Sequence, residues 1–409
     1  MTIEIFQTIL LICFITTFIL GAVVFKTSFC TMGAVSDLVN IGDTGRMRSW
    51  FFAIAIAIFG VAILNIFNIA DINLANSKQT SNPPYLSTVF MWPRYILGGI
   101  LFGIGMTLAS GCGNRTLVRI GGGNIKSILV LFIMGTSAYF MIFTNFANNV
   151  FFSWMQPTII DFSNYGLNNQ SVSSIINLFF NSQSELFFFI IPTLISLLII
   201  YWCFKSSDFY KSFDNIFSGL VLGVAVTIAW YLTAGPMGQE LMSEIEFLDG
   251  NEKPYATGIQ GLTFVQPSAI LIRLIESNFN LIFINFALTA AAGIICGSLA
   301  YSIIFNKFKV EWFASLKDLL NHVIGAILMG IGGVLALGCT IGQGVTGVST
   351  LSVGSFISLA FIIFGSGITM KIQLYRMVYE DSSFLDALLS GLVDFRLLPK
   401  ILRKLDQVS

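Results

Sequence analysis

Three of the six cysteines stand where long apolar runs break into glycine: Cys30 in "FCTMG", Cys112 in "SGCGN" and Cys339 in "LGCTIGQG". A thiol is a weak hydrogen-bond donor with a soft, polarizable sulfur, so it suits a sulfur-bearing anion better than a hard oxyanion. Buried among apolar groups it stays neutral, and it holds an anion weakly enough to let it go. Glycines beside it free backbone N–H groups to face that anion. The candidate pathway residues are therefore Cys30; Gly111, Cys112, Gly113, Asn114 and Arg115; and Gly338, Cys339, Thr340 and Gln343. Arg115 reads in two ways. At membrane depth it is a functional cation; at the surface it joins Arg119 as an ordinary positive-inside residue. The glycines, too, serve either a path or helix packing alone. Cys13, Cys203 and Cys296 lie inside apolar runs and read as small buried hydrophobes. With no CxxC pair and His322 as the single histidine, a zinc or thioredoxin-type site has no support.

Elements that hold such loops must suit a bilayer. The 409 residues are 55% hydrophobic and 10% charged, against about a quarter charged in soluble domains. Zero formal net charge and the lack of a basic tract give nucleic-acid binding no footing. Apolar runs of membrane length predict nine spans, at about 5–25, 49–70, 94–110, 125–147, 183–204, 214–233, 281–305, 319–337 and 352–376. Asn65 and Asn68 within the second imply packing against other helices. Glu4 and the missing basic n-region make the first a retained span, not a cleaved signal. Seventeen of the 21 Lys and Arg fall on one side of this arrangement, which predicts a cytoplasmic C-terminus and an outer N-terminus. Loops 148–182 and 234–280 then face outward, the second carrying an acidic helical segment, "QELMSEIEFLDGNE". The stretch 383–405 reads as an amphipathic helix on the inner leaflet, or alternatively as a docking surface for a cytosolic partner.

The chain also repeats itself. Cys112 set over Cys339 aligns "GGILFGIGMTLASGC" (98–112) with "GAILMGIGGVLALGC" (325–339), and "FIMGTS" (132–137) falls over "IIFGSG" after a three-residue insertion. "LGAVVFKTSFCTMG" (20–33) fits "LGVAVTIAWYLTAG" (222–235) less well and sets Leu232 where Cys30 stands. The expected organisation is a four-span first repeat (1–182), a connecting span (183–212), a four-span second repeat (213–380) and the C-terminal helix (381–409). Five spans separate the two starts, so the second repeat enters from the opposite face. The fold class is thus all-α and polytopic, two inverted repeats whose Gly/Cys loops re-enter centrally. Irregular backbone at that depth requires burial in protein or a wet cavity.

At "FCTMGAVSD" (29–37), "GMTLASGCGNRTLVRIGGGN" (105–124) and "LALGCTIGQGVTG" (335–347) the chain resembles the YeeE/YedE family of bacterial inner-membrane proteins. The resemblance implies an hourglass of inverted halves that takes up thiosulfate. Cys339 would receive the ion from outside, Cys112 would hold it and Cys30 would release it inward. It further implies a small TusA-like cytosolic sulfurtransferase (YeeD type) as partner. Selenium or another sulfur compound is the alternative substrate by the same path. From another class, a membrane electron relay would cycle a Cys112–Cys339 disulfide, although no quinone- or flavin-binding signal accompanies it. A Cu(I) channel would want clustered methionines, which are missing. No P-loop is present to drive transport by ATP hydrolysis. The reading calls for no cofactor, no metal and no enzymatic activity.

Overall fold

The computed structural model describes residues 2–180, 187–248, 253–379 and 381–406. Fifteen helices matter to the argument. They are α1 (Thr2–Thr27), α2 (Thr31–Ser36), α3 (Gly45–Ile66), α4 (Trp92–Leu108), α5 (Gly113–Gly121), α6 (Ile125–Phe143), α7 (Val172–Phe180) and α8 (Phe187–Phe204). The rest are α9 (Phe213–Ala234), α10 (Pro236–Ile245), α11 (Gln266–Glu276), α12 (Phe286–Ile304), α13 (Leu316–Leu335), α14 (Val353–Val378) and α15 (Phe384–Asp394). Eight of them, α1, α3, α4, α6, α9, α12, α13 and α14, are long and apolar enough to cross a membrane. The protein is an all-α polytopic membrane protein. The span expected at 183–204 is the shorter apolar α8, and residues 183–186 lie outside the described residues. So do the expected boundary at 182, residue 380, and residues 249–252 of the acidic segment, which is helical as far as Ile245.

α4 runs through the middle, packed on α13 and α14, while α1 lies along α12 and α3 along α9. The α4–α13 crossing brings backbone against backbone. A Cβ at Gly105 would stand 2.6 Å from the Gly325 carbonyl oxygen, and one at Gly325 would stand 2.7 Å from the Gly105 carbonyl oxygen. Gly98 meets Gly332 in the same reciprocal way, at 2.8 Å in both directions. Small residues allow this close approach, and carbonyls pack where side chains ordinarily would. At the N-terminal end of α13, Asp318 binds Lys126 of α6 at 2.7 Å and His322 at 3.0 Å, which ties the lone histidine into an ion-pair cluster.

Four long helices stop and restart inside the molecule. Left-handed Ser28 (φ 52°), Ser110 (φ 57°) and Leu337 (φ 63°) break α1, α4 and α13. Cys30 and Cys112 then open the short helices α2 and α5, while the α13 break leads through Cys339 into a π-helical turn at Gly342–Gly347. The fourth break falls at Gly235, which opens α10 before Pro236. Leu232, set over Cys30 in the sequence, lies buried within α9 and not at a break.

Other expectations shift for local reasons. α3 ends at Ile66, and Asn68 is the left-handed residue beyond it (φ 52°), so it is a stop and not a span residue. The span expected from 281 starts at Phe286, where the Asn285 side chain caps the helix. The C-terminal helix stops at Asp394, since Arg396 is left-handed (φ 58°) and Pro399 follows. That segment folds back on α14, with Asp394 accepting from Tyr375 Oη at 2.8 Å and Arg403 Nη2 at 2.7 Å. Loop 148–182 pairs Ile160–Asp161 with Val89–Phe90 as a two-stranded ribbon. Within loop 234–280, residues 259–265 are buried.

Candidate functional site

Cys339 lies two residues past the left-handed Leu337, in a turn whose amides point inward. Its Sγ accepts from the Gly342 N–H at 3.3 Å. The N–H groups of Ile341 and Phe264 and the Thr263 hydroxyl face the same sulfur. Backbone donors converging on one point form a nest that favours negative charge. Gln343 fixes this turn, its N–H donating to the Cys339 carbonyl at 2.7 Å and its side-chain amide to the Ala336 carbonyl.

Cys112 comes next along the line, with both Cys30 and Cys339 as neighbours and the Arg115 N–H directed at its sulfur. The Thr340 hydroxyl faces the Cys112 thiol but closes no well-formed hydrogen bond with it. Asn114 Oδ1 and Thr31 Oγ1 are also buried without partners among the described residues. Buried polar atoms are nearly always satisfied. Each of the three cysteine turns thus holds an orphaned oxygen, a surface suited to a polar ligand. Cys30 completes the series as N-cap of α2, its Sγ accepting from the Gly33 N–H at 3.5 Å. All six cysteines are free thiols.

Two cavities flank these turns. One, of 320 Å³, is lined by Cys30, Ser110, Arg46, Arg115 and Arg119. A methionine-bearing cavity of 310 Å³ adjoins it through Met32, Ser36 and Ser110. The other, of 570 Å³, is lined by Gly338 and Thr263 of the Cys339 region together with Lys78 and Arg94. Arg94 and Ser110 mark opposite ends of α4, which separates the cavities by roughly 25 Å at 1.5 Å per residue. Between them Cys112 is 2% exposed and Cys339 fully buried. Neither of these thiols opens to solvent.

The structure thus gathers Cys112, Asn114, Arg115, Cys339, Thr340 and Gln343, with Cys30 beside Cys112. Gly111 and Gly113 flank Cys112, a Cβ on Gly113 falling 3.0 Å from the Phe264 carbonyl oxygen, and Gly338 reaches the larger cavity. Arg115 belongs to the cavity at the Cys30 end, next to the break and not on open surface. Three contributors went unseen in the sequence. Thr263 and Phe264 belong to "GIQGLTF", an uncharged stretch whose glycines stand out in a hydrophilic loop. Arg94 opens the span expected at 94–110; its Nε donates to the Leu335 carbonyl at 2.8 Å and its Nη2 to the Val334 carbonyl at 3.2 Å. It thereby caps the C-terminus of α13 just before the Cys339 turn. Arg94→Ala is expected to cost about 2 kcal/mol by leaving those carbonyls unpaired. It should lower the thermal midpoint of the purified protein by several degrees, with Arg94→Lys falling between.

Comparison with known proteins fits this geometry. The family model described as sulphur transport matches residues 26–368. The thiosulfate transporter TsuA of Escherichia coli (strain K12) is 24% identical over 365 residues, covering 85% of this chain and 90% of that protein. The thiosulfate transporter TsuA of Spirochaeta thermophila is 25% identical over 368 residues, covering 88% of this chain and 97% of that protein. Because the matched region contains all three cysteine turns and both cavities' principal cations, the chain belongs to the sulphur-transport (YeeE/YedE) family.

Proposed function

We propose that this protein takes thiosulfate into the bacterial cytoplasm through a constriction lined by Cys339, Cys112 and Cys30. The observation that carries the reading is the set of three free thiols and orphaned hydroxyl and amide oxygens between two cation-bearing cavities. Thiosulfate has an oxyanion end and a terminal sulfur. The amide nest at Cys339 suits its charge, and the thiols suit its sulfur. An ion stripped of water in a dry passage needs replacement donors at each step. The thiols provide them without a fixed positive charge that would trap a dianion. The relatives' names as thiosulfate transporters support the substrate.

The same reading makes the protein a transporter and not an enzyme, seated in the inner membrane with the Cys339 cavity outside and the C-terminus inside. Its two halves are inverted copies, 1–182 and 213–380, joined by α8. The reciprocal contacts of Gly98 with Gly332 and Gly105 with Gly325 support this, since two-fold related helices touch through equivalent residues. A TusA-like sulfurtransferase would accept the ion at the Cys30 cavity.

The test is growth of a bacterium lacking its own thiosulfate uptake, with this chain expressed and one sulfur source supplied at a time. Growth on thiosulfate but not on sulfate is expected. Growth on thiosulfate no better than the empty vector, with the protein present in the membrane, would reject the assignment. Growth governed by selenium donors would redirect it to the alternative substrate.

A further inference from the structure

The cavity at the Cys30 end holds three guanidinium groups but little compensating charge. Arg46 is paired with Asp37 at 3.3 Å. Arg115 and Arg119 have no acid within ion-pair distance among the described residues. Glu311, the acid felt by Arg119 at longer range, is engaged by Asn124 at 2.6 Å and by Lys309 at 3.8 Å. Arg115 and Arg119 sit four residues apart on α5, so their side chains share one face of the helix and repel. Both lean over the chain break. From the Cβ position of Gly111, the Arg115 Cγ lies at 3.0 Å and an Arg119 guanidinium nitrogen at 4.0 Å. Two adjacent, half-buried, unneutralised cations are costly at the edge of a bilayer. One dianion bound between them would offset that cost.

We propose that Arg115 and Arg119 form a binding site for small tetrahedral dianions of the sulfate class, and that its occupancy impedes discharge of the transported ion. Planar guanidinium forks match the oxygen edges of a tetrahedral oxyanion, two donors to a pair of oxygens. Cys30 and Ser110 line the same cavity, so an ion held there stands across the outlet from Cys112. Its volume of 320 Å³ accommodates such an ion with water but not a lipid tail. The site differs from the thiol row in chemistry: it reads charge and oxygen geometry, not sulfur. A non-substrate oxyanion present on the Cys30 side therefore competes with discharge. This second clause rests on the uptake reading above; the binding site itself does not.

Purified protein in detergent, melted with sodium sulfate or with sodium chloride at matched ionic strength, tests the site. Sulfate is expected to raise the midpoint saturably. Arg115→Gln and Arg119→Gln are each expected to weaken the apparent sulfate affinity roughly tenfold, the loss of one charge-assisted partner. Arg119→Lys, which keeps the charge but loses the fork, should fall between and serves if the glutamine variant does not fold. No sulfate-specific shift, a shift unchanged in the variants, or stabilisation by anionic lipid headgroups alone would overturn the proposal. In liposomes, sulfate trapped on the Cys30 side should slow initial thiosulfate uptake several-fold relative to trapped chloride. Undiminished uptake would overturn the outlet role. A complete lack of thiosulfate uptake alongside a normal sulfate shift would fault the transport reading and leave the site standing.

Discussion

Cys112→Ala is expected to lower thiosulfate uptake by cells about fivefold or more, by about 1–3 kcal/mol of lost donor and acceptor capacity in a desolvated passage. Cys112 is the thiol that interacts electrostatically with both of the others, so in the proposed uptake it carries the step from Cys339 to Cys30. Alanine leaves only a sulfur-sized void, and small deletions of this kind cost a core on the order of 1 kcal/mol. The variant should accordingly reach the membrane in normal amount and melt within a few degrees of wild type. Cys112→Ser keeps a donor but hardens the acceptor, and should retain part of the uptake. Radiolabelled uptake set against membrane abundance by immunoblot reads both quantities. Wild-type uptake by the alanine variant would remove the thiols from the mechanism.

Gly105→Val and Gly325→Val are each expected to leave little folded protein. The new side chains would run into carbonyl oxygens 2.6 and 2.7 Å from their Cβ positions, where the obstacle is helical backbone that cannot rotate away. Overpacking a tight core costs about 1–3 kcal/mol even where side chains can adjust, and more where they cannot. The damage also travels. α4 ends at the Cys112 turn and α13 at the Cys339 turn, so separating these helices pulls the two turns apart. Fluorescence-detected size exclusion of detergent extracts would show aggregated or missing protein. A monodisperse peak at wild-type height for either variant would contradict the crossing.

Much of this architecture is written in side-chain patterns. Apolar runs gave the spans, and the glycine-cysteine motifs marked the helix breaks, because left-handed turns and close helix crossings leave residue-type signatures. The repeat of 98–112 in 325–339 was visible for the same reason, since those glycines mark the α4–α13 contact. What stayed hidden depends on backbone groups and distant pairing. Phe264 contributes an N–H to Cys339, which its side chain does not advertise. Arg94 works through carbonyls some 240 residues away, a relation with no periodicity to detect. Leu232 was matched to Cys30 because apolar helices align in several registers, whereas the break itself belongs to Gly235 and Pro236. The C-terminal helix was drawn too long because its amphipathic pattern continues past Pro399.

The most direct test of the account is uptake of radiolabelled thiosulfate into liposomes containing only the purified protein, compared with protein-free liposomes and with the Cys112→Ala variant. Wild-type protein should fill the liposomes well above background, excess unlabelled thiosulfate should compete, and the variant should lie near background. Equal filling by wild type and variant, or none above protein-free liposomes, would contradict passage of thiosulfate along the row of thiols.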